Sequence, residues 1–535
     1  MLTAVVRTAR FTGVLTAVLC SWTCAAWGQS VSEPPRAASN GPETSGVASE
    51  IAADQFLQQF LLTNLTPIDL PSAFRLAGVQ NSEILLAQQR VTEAVALRQL
   101  AAAQFLPTLN AGSNIDSHRG VLQDSNGTIL SVNRDALYVG AGAFAVGGTT
   151  VRIPGVVLTG NVSNLIYGYL ISRQEVNRRA FASQVVSQDT LLAVALAYIE
   201  LVRAEGQHRI AILTRDDARE LARLTAAYLQ TGQGRKADAD RAATELARRE
   251  AIVIQTEGEI GTTSARLCAL LHLDPSLRLH PVEDQVLPKS IVPDPIPLPE
   301  LLAIALLNRP ELKEQRTAVV QALLALHQAR WLPFSPTVYI GYSVGDFGGG
   351  SNLVAQPVGS GTDALGDPRF GLFSPRQDLD VMAYWTLLNL GVGNRALIDA
   401  ARSRLRSADL QEVAVLDQVR TEVASAYAKT HARFAQIRTC ELAIQSSTEA
   451  FHEDMGRILG QIGLPLEVVN SLRLLSRSRG AYLDAILDYN RAQFELYVAL
   501  GKPPADVLVR PAGENGEDPA VARPATAPPV PPAAH

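Results

Sequence analysis

The side chains best suited to chemistry are scattered along this chain of 535 residues. Its 8 histidines include no pair at metal-ligand spacing and no neighbouring cysteine. There is no Gly-rich loop followed by Lys-Ser/Thr and no Gly-x-Ser-x-Gly elbow. Gly391-Val392-Gly393 reads as a turn at a strand-to-helix junction, and Asp216-Asp217 as a solvated helix face. What remains is a set of charges at two Gly-bounded turns. Arg235, Lys236, Asp238 and Asp240 lie at the first, Glu467 and the neutral Asn470 at the second. Such groups make ion pairs rather than break bonds. The chain is read as a non-enzyme with no cofactor and no bound metal.

The elements that carry these turns follow from the rest of the chain. The formal net charge is −5 and the pI about 6.0, so no basic excess points to nucleic acid. Arg7 and Arg10, the apolar run Phe11 to Cys20 and the small residues of Ala26-Trp27-Gly28 read as a secretory signal, residues 1–28. Cys20 and Cys24 fall inside it. Cys268 and Cys440 sit in unrelated helical stretches, so the mature chain does not depend on a disulfide. No later run of about 18 consecutive apolar residues predicts a membrane helix. Residues 29–65 read as a loose segment, and the Pro/Ala-rich stretch 510–535 as a disordered tail.

The chain repeats itself. Leu70-Pro71 opens a segment ending Asn81-Ser82-Glu83-Ile84; Leu298-Pro299 opens another ending Asn308-Arg309-Pro310-Glu311-Leu312. Leu70 and Leu298 are 228 residues apart, and an offset of 228 or 229 persists through Ala197-Tyr198 with Ala426-Tyr427 and Asp238 with Glu467. The two copies, 66–280 and 298–509, are joined by a Pro-rich linker, 281–297. Each predicts a short helix, a helix of roughly 30 residues ending at Leu106-Pro107 or Leu332-Pro333, and a β-hairpin with a long polar loop, about 108–170 or 335–390. A long helix follows, Ser172 to Gln230 or Asn394 to Leu459, about 60 residues or roughly 90 Å. After a Gly-bounded turn a second helix returns to Leu273 or Leu500. Helices this long, with narrow apolar stripes, need neighbours along their length. Four candidate membrane strands cannot close by themselves, and an open sheet edge cannot face lipid. Both arguments demand an oligomer.

The duplicated order resembles the outer membrane efflux proteins, the TolC-like outer membrane factors. The resemblance rests on Leu70-Pro71…Asn81-Ser82-Glu83, its copy from Leu298-Pro299 to Leu312, the Leu-Pro before each hairpin, Val423 to Ile437, and Gly501 with Pro503. It covers residues 56 to 510. It implies a mainly α fold with a membrane β-hairpin region: a long α-helical barrel continued by a twelve-stranded transmembrane β-barrel, formed by a homotrimer. It further implies a passive exit duct through periplasm and outer membrane, for tripartite efflux or type I secretion. The partners implied are a periplasmic adaptor protein and an inner-membrane pump. On the same resemblance the two turns form the periplasmic entrance, with Asp238 and Glu467 as gate acids. Arg235, Lys236 and Asp240 would link them, and Asn470 stands where a second acid is expected. Tyr167, Tyr169, Tyr384 and Trp385 are candidates for the aromatic belt of the membrane interface. The rival readings are a periplasmic coiled-coil adaptor or scaffold without a barrel, and an exported enzyme with a helical scaffold. The gate expectation is tested in planar bilayers: Asp238→Ala with Glu467→Ala should raise the closed-state current, and an unchanged current rejects it.

Overall fold

The computed structural model describes residues 65–503 apart from 124, 146–148, 284, 294–295, 350–373 and 461. The expected signal, most of the loose segment and the Pro/Ala tail lie outside the described residues, as does most of the second hairpin's loop. Nine strands and eight α-helices are found among the described residues.

Each repeat starts with the same pair of helices, α1 (Leu70–Gln80) and α2 (Ser82–Ala103), then α5 (Leu298–Asn308) and α6 (Pro310–Trp331). Pro71 and Pro299 occupy the first turn, where a missing N–H costs no hydrogen bond. α2 and α6 have 22 residues each, shorter than expected. Asn81 caps α2 by accepting from the Glu83 and Ile84 amides, while its Nδ2 donates to the Leu270 carbonyl at 3.0 Å. Its counterpart Arg309 donates to the Val498 carbonyl at 3.4 Å. Leu270 and Val498 are again 228 apart, so the duplication preserves a contact while changing the donor.

The long helices are α3 (Val162–Gln230, 69 residues) and α7 (Val392–Leu459, 68 residues), each about 100 Å long. They return as α4 (Lys236–Leu271) and α8 (Pro465–Ala499). Both long helices begin earlier than the sequence suggests, so the first hairpin ends at Asn161 rather than near 170, and Tyr167 and Tyr169 belong to α3. α3 also holds one stretch long and apolar enough, by composition alone, to cross a membrane, where the sequence reading expects none. Nearly half of that stretch is buried inside the chain.

The helices form a single layer. Toward the hairpins the order is α2, α3, α6, α7; toward the turns it is α4, α3, α8, α7. Two short parallel strands, β1 (Leu65–Ile68) and β7 (Arg278–Pro281), lie beside this layer. Ile68 and Leu279 enter a core with Phe74, Tyr198, Leu267 and Leu487. The linker then runs along α8. Asn490 accepts from the Lys289 amide at 2.7 Å and donates to the Leu287 carbonyl, and Gln493 accepts from the Ile291 and Val292 amides.

The sheet continues the layer. Its strands are β2 (Thr108–Leu109), β3 (Ala111–Gln123), β4 (Ile129–Ala143), β5 (Ile153–Pro154), β6 (Val156–Asn161), β8 (Thr337–Gly349) and β9 (Ser374–Tyr384). β3 and β4 extend well past the expected Ile115 and start before Ala136, with only a tight turn between them. β5 pairs with the end of β4, and the other six strands form four columns. β2 and β3 form the first. β4 and β6 form the second, since both lie against the same edge of β8, with Ala141 opposite Val344 and Val156 opposite Tyr342. β8 and β9 are the third and fourth. Each column runs into one helix, so the strand order matches the helix order α2, α3, α6, α7.

The joints between columns are tied together. Asn161 caps α3 and also donates to the Ser335 carbonyl at 2.9 Å, and the Ser163 amide donates to Ser335 Oγ at 2.7 Å. From the other side, Trp385 Nε1 donates to the Phe334 carbonyl. Replacing Gln493 by Leu tests the linker's anchoring. It leaves the Ile291 and Val292 amides without acceptors, at about 1–3 kcal/mol each. Limited proteolysis should then cut within 282–297 sooner at unchanged helical content; an unchanged digestion rate contradicts the assignment.

Candidate functional site

Two regions carry functional geometry: the helix turns far from the sheet, and the sheet itself.

The two turns are built alike. After α3, the amides of Gln233 and Gly234 both donate to the Tyr228 carbonyl, at 2.9 and 2.8 Å, and Gly232 takes the left-handed φ of +74°. After α7, the amides of Ile462 and Gly463 both donate to the Arg457 carbonyl, at 2.9 and 3.0 Å. Asp238 and Glu467 occupy equivalent places in the first turns of α4 and α8, where a carboxylate favours the helix N-terminus. Their contacts are local. Asp238 accepts from Arg241 at 3.2 Å; Glu467 accepts from the Leu464 amide and lies 3.8 Å from Arg457. Among the described residues no ion pair engages Arg235, Lys236 or Asp240, and Asn470 is exposed. The expected links are therefore not formed by these residues within one chain. Around the second turn Leu459, Ile462, Leu464 and Leu466 are exposed.

The links between the two helical hairpins lie further up and were missed in the sequence. Glu245 on α4, only 2% exposed, accepts from Arg473 of α8 at 2.6 Å and from Arg249 at 2.9 Å, and Arg249 reaches Ser476 at 3.1 Å. Arg479 pairs with Asp217 at 3.2 Å, so Asp217 is not simply a solvated charge. Tyr228 donates to the Ile458 carbonyl at 3.2 Å. Beneath these bonds Leu221, Ala242, Phe451, Val468, Leu472 and Leu475 form a small core. No local signal marks the principal link: in the register that matches Asp238 with Glu467, Glu245 aligns with Leu474, one residue beyond Arg473.

Burial alone would raise the Glu245 pKa. Bonds and charge from Arg473 and Arg249 outweigh it, and the net shift is downward. A lowered carboxylate pKa makes this link fully present above the ordinary glutamate value of about 4.3, and lost only as pH falls through the lower folded value.

The sheet has two unlike faces, because side chains alternate along each strand. One carries Val338, Ile340, Tyr342 and Val344 of β8, Leu379, Val381 and Ala383 of β9, Val139 and Ala141 of β4, and Ile115 of β3. It is apolar and exposed. The other carries Thr337, Tyr339 and Ser343 of β8, Arg376, Asp378 and Asp380 of β9, and Asn114 and Asp116 of β3. Val338 to Val344 spans about 20 Å at roughly 3.3 Å per residue, close to the apolar band of about 25 Å on a membrane barrel. Tyr384 pairs with Thr337 and so shares the polar face, while Trp385 follows it and is exposed. Tyr167 stacks on His327 of α6, with ring centroids 6.4 Å apart, and Tyr169 is half-buried. Cys268 and Cys440 are both free.

No family model matches the chain, and no curated protein sequence matches it. Solved structures do. The outer membrane protein VceC of Vibrio cholerae superposes with a TM-score of 0.65 at 16% identity, over 81% of this chain and 96% of that one. The CmeC outer membrane channel of Campylobacter jejuni gives 0.62 at 14%, over 81% and 85%. The open state of the MtrE outer membrane channel of Neisseria gonorrhoeae gives 0.59 at 18%, over 81% and 89%. The chain therefore has the fold found in these outer-membrane channels.

Removing the Glu245 carboxylate leaves Arg249 buried and Arg473 unpaired, and breaking a buried pair costs about 3–5 kcal/mol. Glu245→Gln should lower the thermal unfolding midpoint, and in the wild type the stability this link contributes should fade only as pH falls below about 4.3. A wild type that loses that stability already at pH 5 would contradict the lowered pKa.

Proposed function

We propose that three copies of this chain form a passive exit duct through the periplasm and the outer membrane, serving a tripartite efflux or type I secretion system. The observation that carries this is the two-faced, four-column sheet whose open edges fall on the same two flanks as the open edges of the helical layer. Side-by-side copies satisfy both at once. Two copies would give eight strands, a barrel just wide enough to be filled by its own side chains. Three give twelve strands and leave room for a passage, in agreement with the resemblance to TolC-like factors and with the fold shared with VceC, CmeC and MtrE. The apolar face then meets lipid, the polar face lines the lumen, and Trp385 sits at the junction with the helices as the best-placed belt aromatic. The duct catalyses nothing; the driving energy comes from an inner-membrane pump.

The helix turns form the periplasmic entrance in this reading. Asp238 and Glu467 shape its electrostatics, while Glu245, Arg249 and Arg473 hold the hairpins together behind it. The exposed Ile462, Leu464 and Leu466 suit the docking of a periplasmic adaptor, since clustered apolar groups on a tip mark a partner's place. A soluble adaptor or scaffold is less well supported, because it would leave the apolar sheet face in water.

Adjacent residues of β9 provide the test. Val381→Arg puts a charge on the lipid face at about 2–4 kcal/mol near mid-membrane, whereas Met382→Arg puts it in the lumen. The wild type and Met382→Arg should be recovered from outer membranes as trimers, and Val381→Arg should not. Recovery of the wild type from the soluble periplasm, or equal tolerance of both substitutions, overturns the proposal.

A further inference from the structure

The second column of the sheet is interrupted by an insertion whose geometry has a use. Asn110 makes the two hydrogen bonds of one regular antiparallel pair, but with two different residues. Its carbonyl accepts from the Gly142 amide at 2.9 Å, and its amide donates to the Gly155 carbonyl at 2.7 Å. The chain leaves the sheet at Gly142, whose φ is +109°, and re-enters at Gly155 in register with both neighbouring columns. The described residues 143–145 and 149–155 thus belong to an excursion from an otherwise continuous strand.

Apart from the strand pairing of Ile153 and Pro154 with β4 and of Gly155 with Asn110, its described residues are held from the polar face. Asn114 accepts from the Phe144 and Ala145 amides, Arg376 donates to the Thr149 carbonyl, and Ser343 accepts from the Gly155 amide. Tyr138, Ala145 and Val151 are 0–2% exposed and pack together with Phe347. Gly341 has no room for a Cβ because Pro154 lies over it, 2.7 Å from where that atom would be. The excursion is therefore seated firmly across one side of the sheet. Its outer surface presents Phe144, Thr149, Arg152 and Ile153, with the Arg152 guanidinium 4.8 Å from the Phe144 ring centroid. Among the described residues no carboxylate pairs with Arg152.

We infer that this excursion is a luminal collar: three copies narrow the passage at the level of the outer membrane and ring it with Arg152, so that the exit discriminates against bulky and cationic solutes. The inference rests on the channel reading, which places the polar face inside. A guanidinium ring in a low-dielectric constriction concentrates anions and repels cations. The collar is separate from the helical entrance and acts at the opposite end of the duct.

Access from outside the cell tests it without regard to the entrance. In chains with Cys440→Ala, Cys268 being buried, single cysteines replace Thr159, on the polar face on the helix side of the collar, or His118, on the same face toward the hairpin turn. With the collar intact, polyethylene-glycol maleimides of increasing size should label the His118→Cys site and progressively fail at the Thr159→Cys site. Deletion of 143–155, which leaves Gly142 to complete the pair with Asn110, should restore that labelling. Arg152→Glu should lower the ratio of anionic to cationic methanethiosulfonate rates at the Thr159→Cys site by about tenfold. Size-independent labelling of the Thr159→Cys site with the collar present, or a charge ratio unmoved by Arg152→Glu, overturns the collar. Failure of even the smallest reagent at both sites overturns the channel reading instead, and the collar with it.

Discussion

An unpaired strand edge has nowhere to send its N–H and C=O groups once water is gone. This constraint governs the whole chain. The sheet has four columns and two open edges, one along β2 and β3 and one along β9. The helices inherit the problem in another form: they satisfy their own backbones but leave apolar stripes along the two flanks of a single layer. Because each strand column runs into one helix, both deficits face the same neighbours. One rotation of copies about an axis, as proposed, would repair them together. The polar ties at Asn161, Ser335 and Trp385 matter for this reason, since they keep strand order and helix order in step across the joint.

Duplication supplies the parts and divergence supplies the specificity. The hydrogen bond from the second helix's cap to the end of the returning helix occurs in both copies, from Asn81 in one and Arg309 in the other. The more consequential divergence is at Glu245: in the register that matches Asp238 with Glu467 its counterpart is the exposed Leu474, and the buried acid instead binds Arg473, the neighbour of that position, so that the hairpins are linked.

Much of this architecture was legible in the sequence. Pro71, Asn81 and their counterparts marked the helix starts, and the interrupted glycines at 232–234 and 460–463 marked the turns, because these residue types are needed by backbone geometry. Fold class and repeat order therefore followed from local chemistry. The strand limits did not. Asp116 to Gln123 is polar and reads as loop, yet it continues β3; in the proposed barrel a strand that has left the membrane no longer needs an apolar face. The excursion at 143–155 was invisible for a related reason: its two flanks each look like a separate strand, and only the shared pairing with Asn110 shows them to be one. The links at Glu245 and Asp217 depend on which helix lies opposite, which no periodicity encodes.

In the proposed duct the two ends differ in what movement would cost. Once neighbouring copies close the sheet, every column would be bonded to two neighbours through its backbone, and loosening one column in lipid would leave several groups unpaired at several kcal/mol each. The helices bond only within themselves, so they can slide or splay while losing side-chain contacts alone. Near the turns those contacts are few: a small core, one tyrosine hydroxyl and a handful of ion pairs that water can replace. In the proposed duct, opening therefore belongs to the helical end. At the membrane end any selectivity has to be built from fixed structure, and there the chain has a seated insertion instead of a movable one, held by Asn114, Ser343 and Arg376 against a frame that cannot yield.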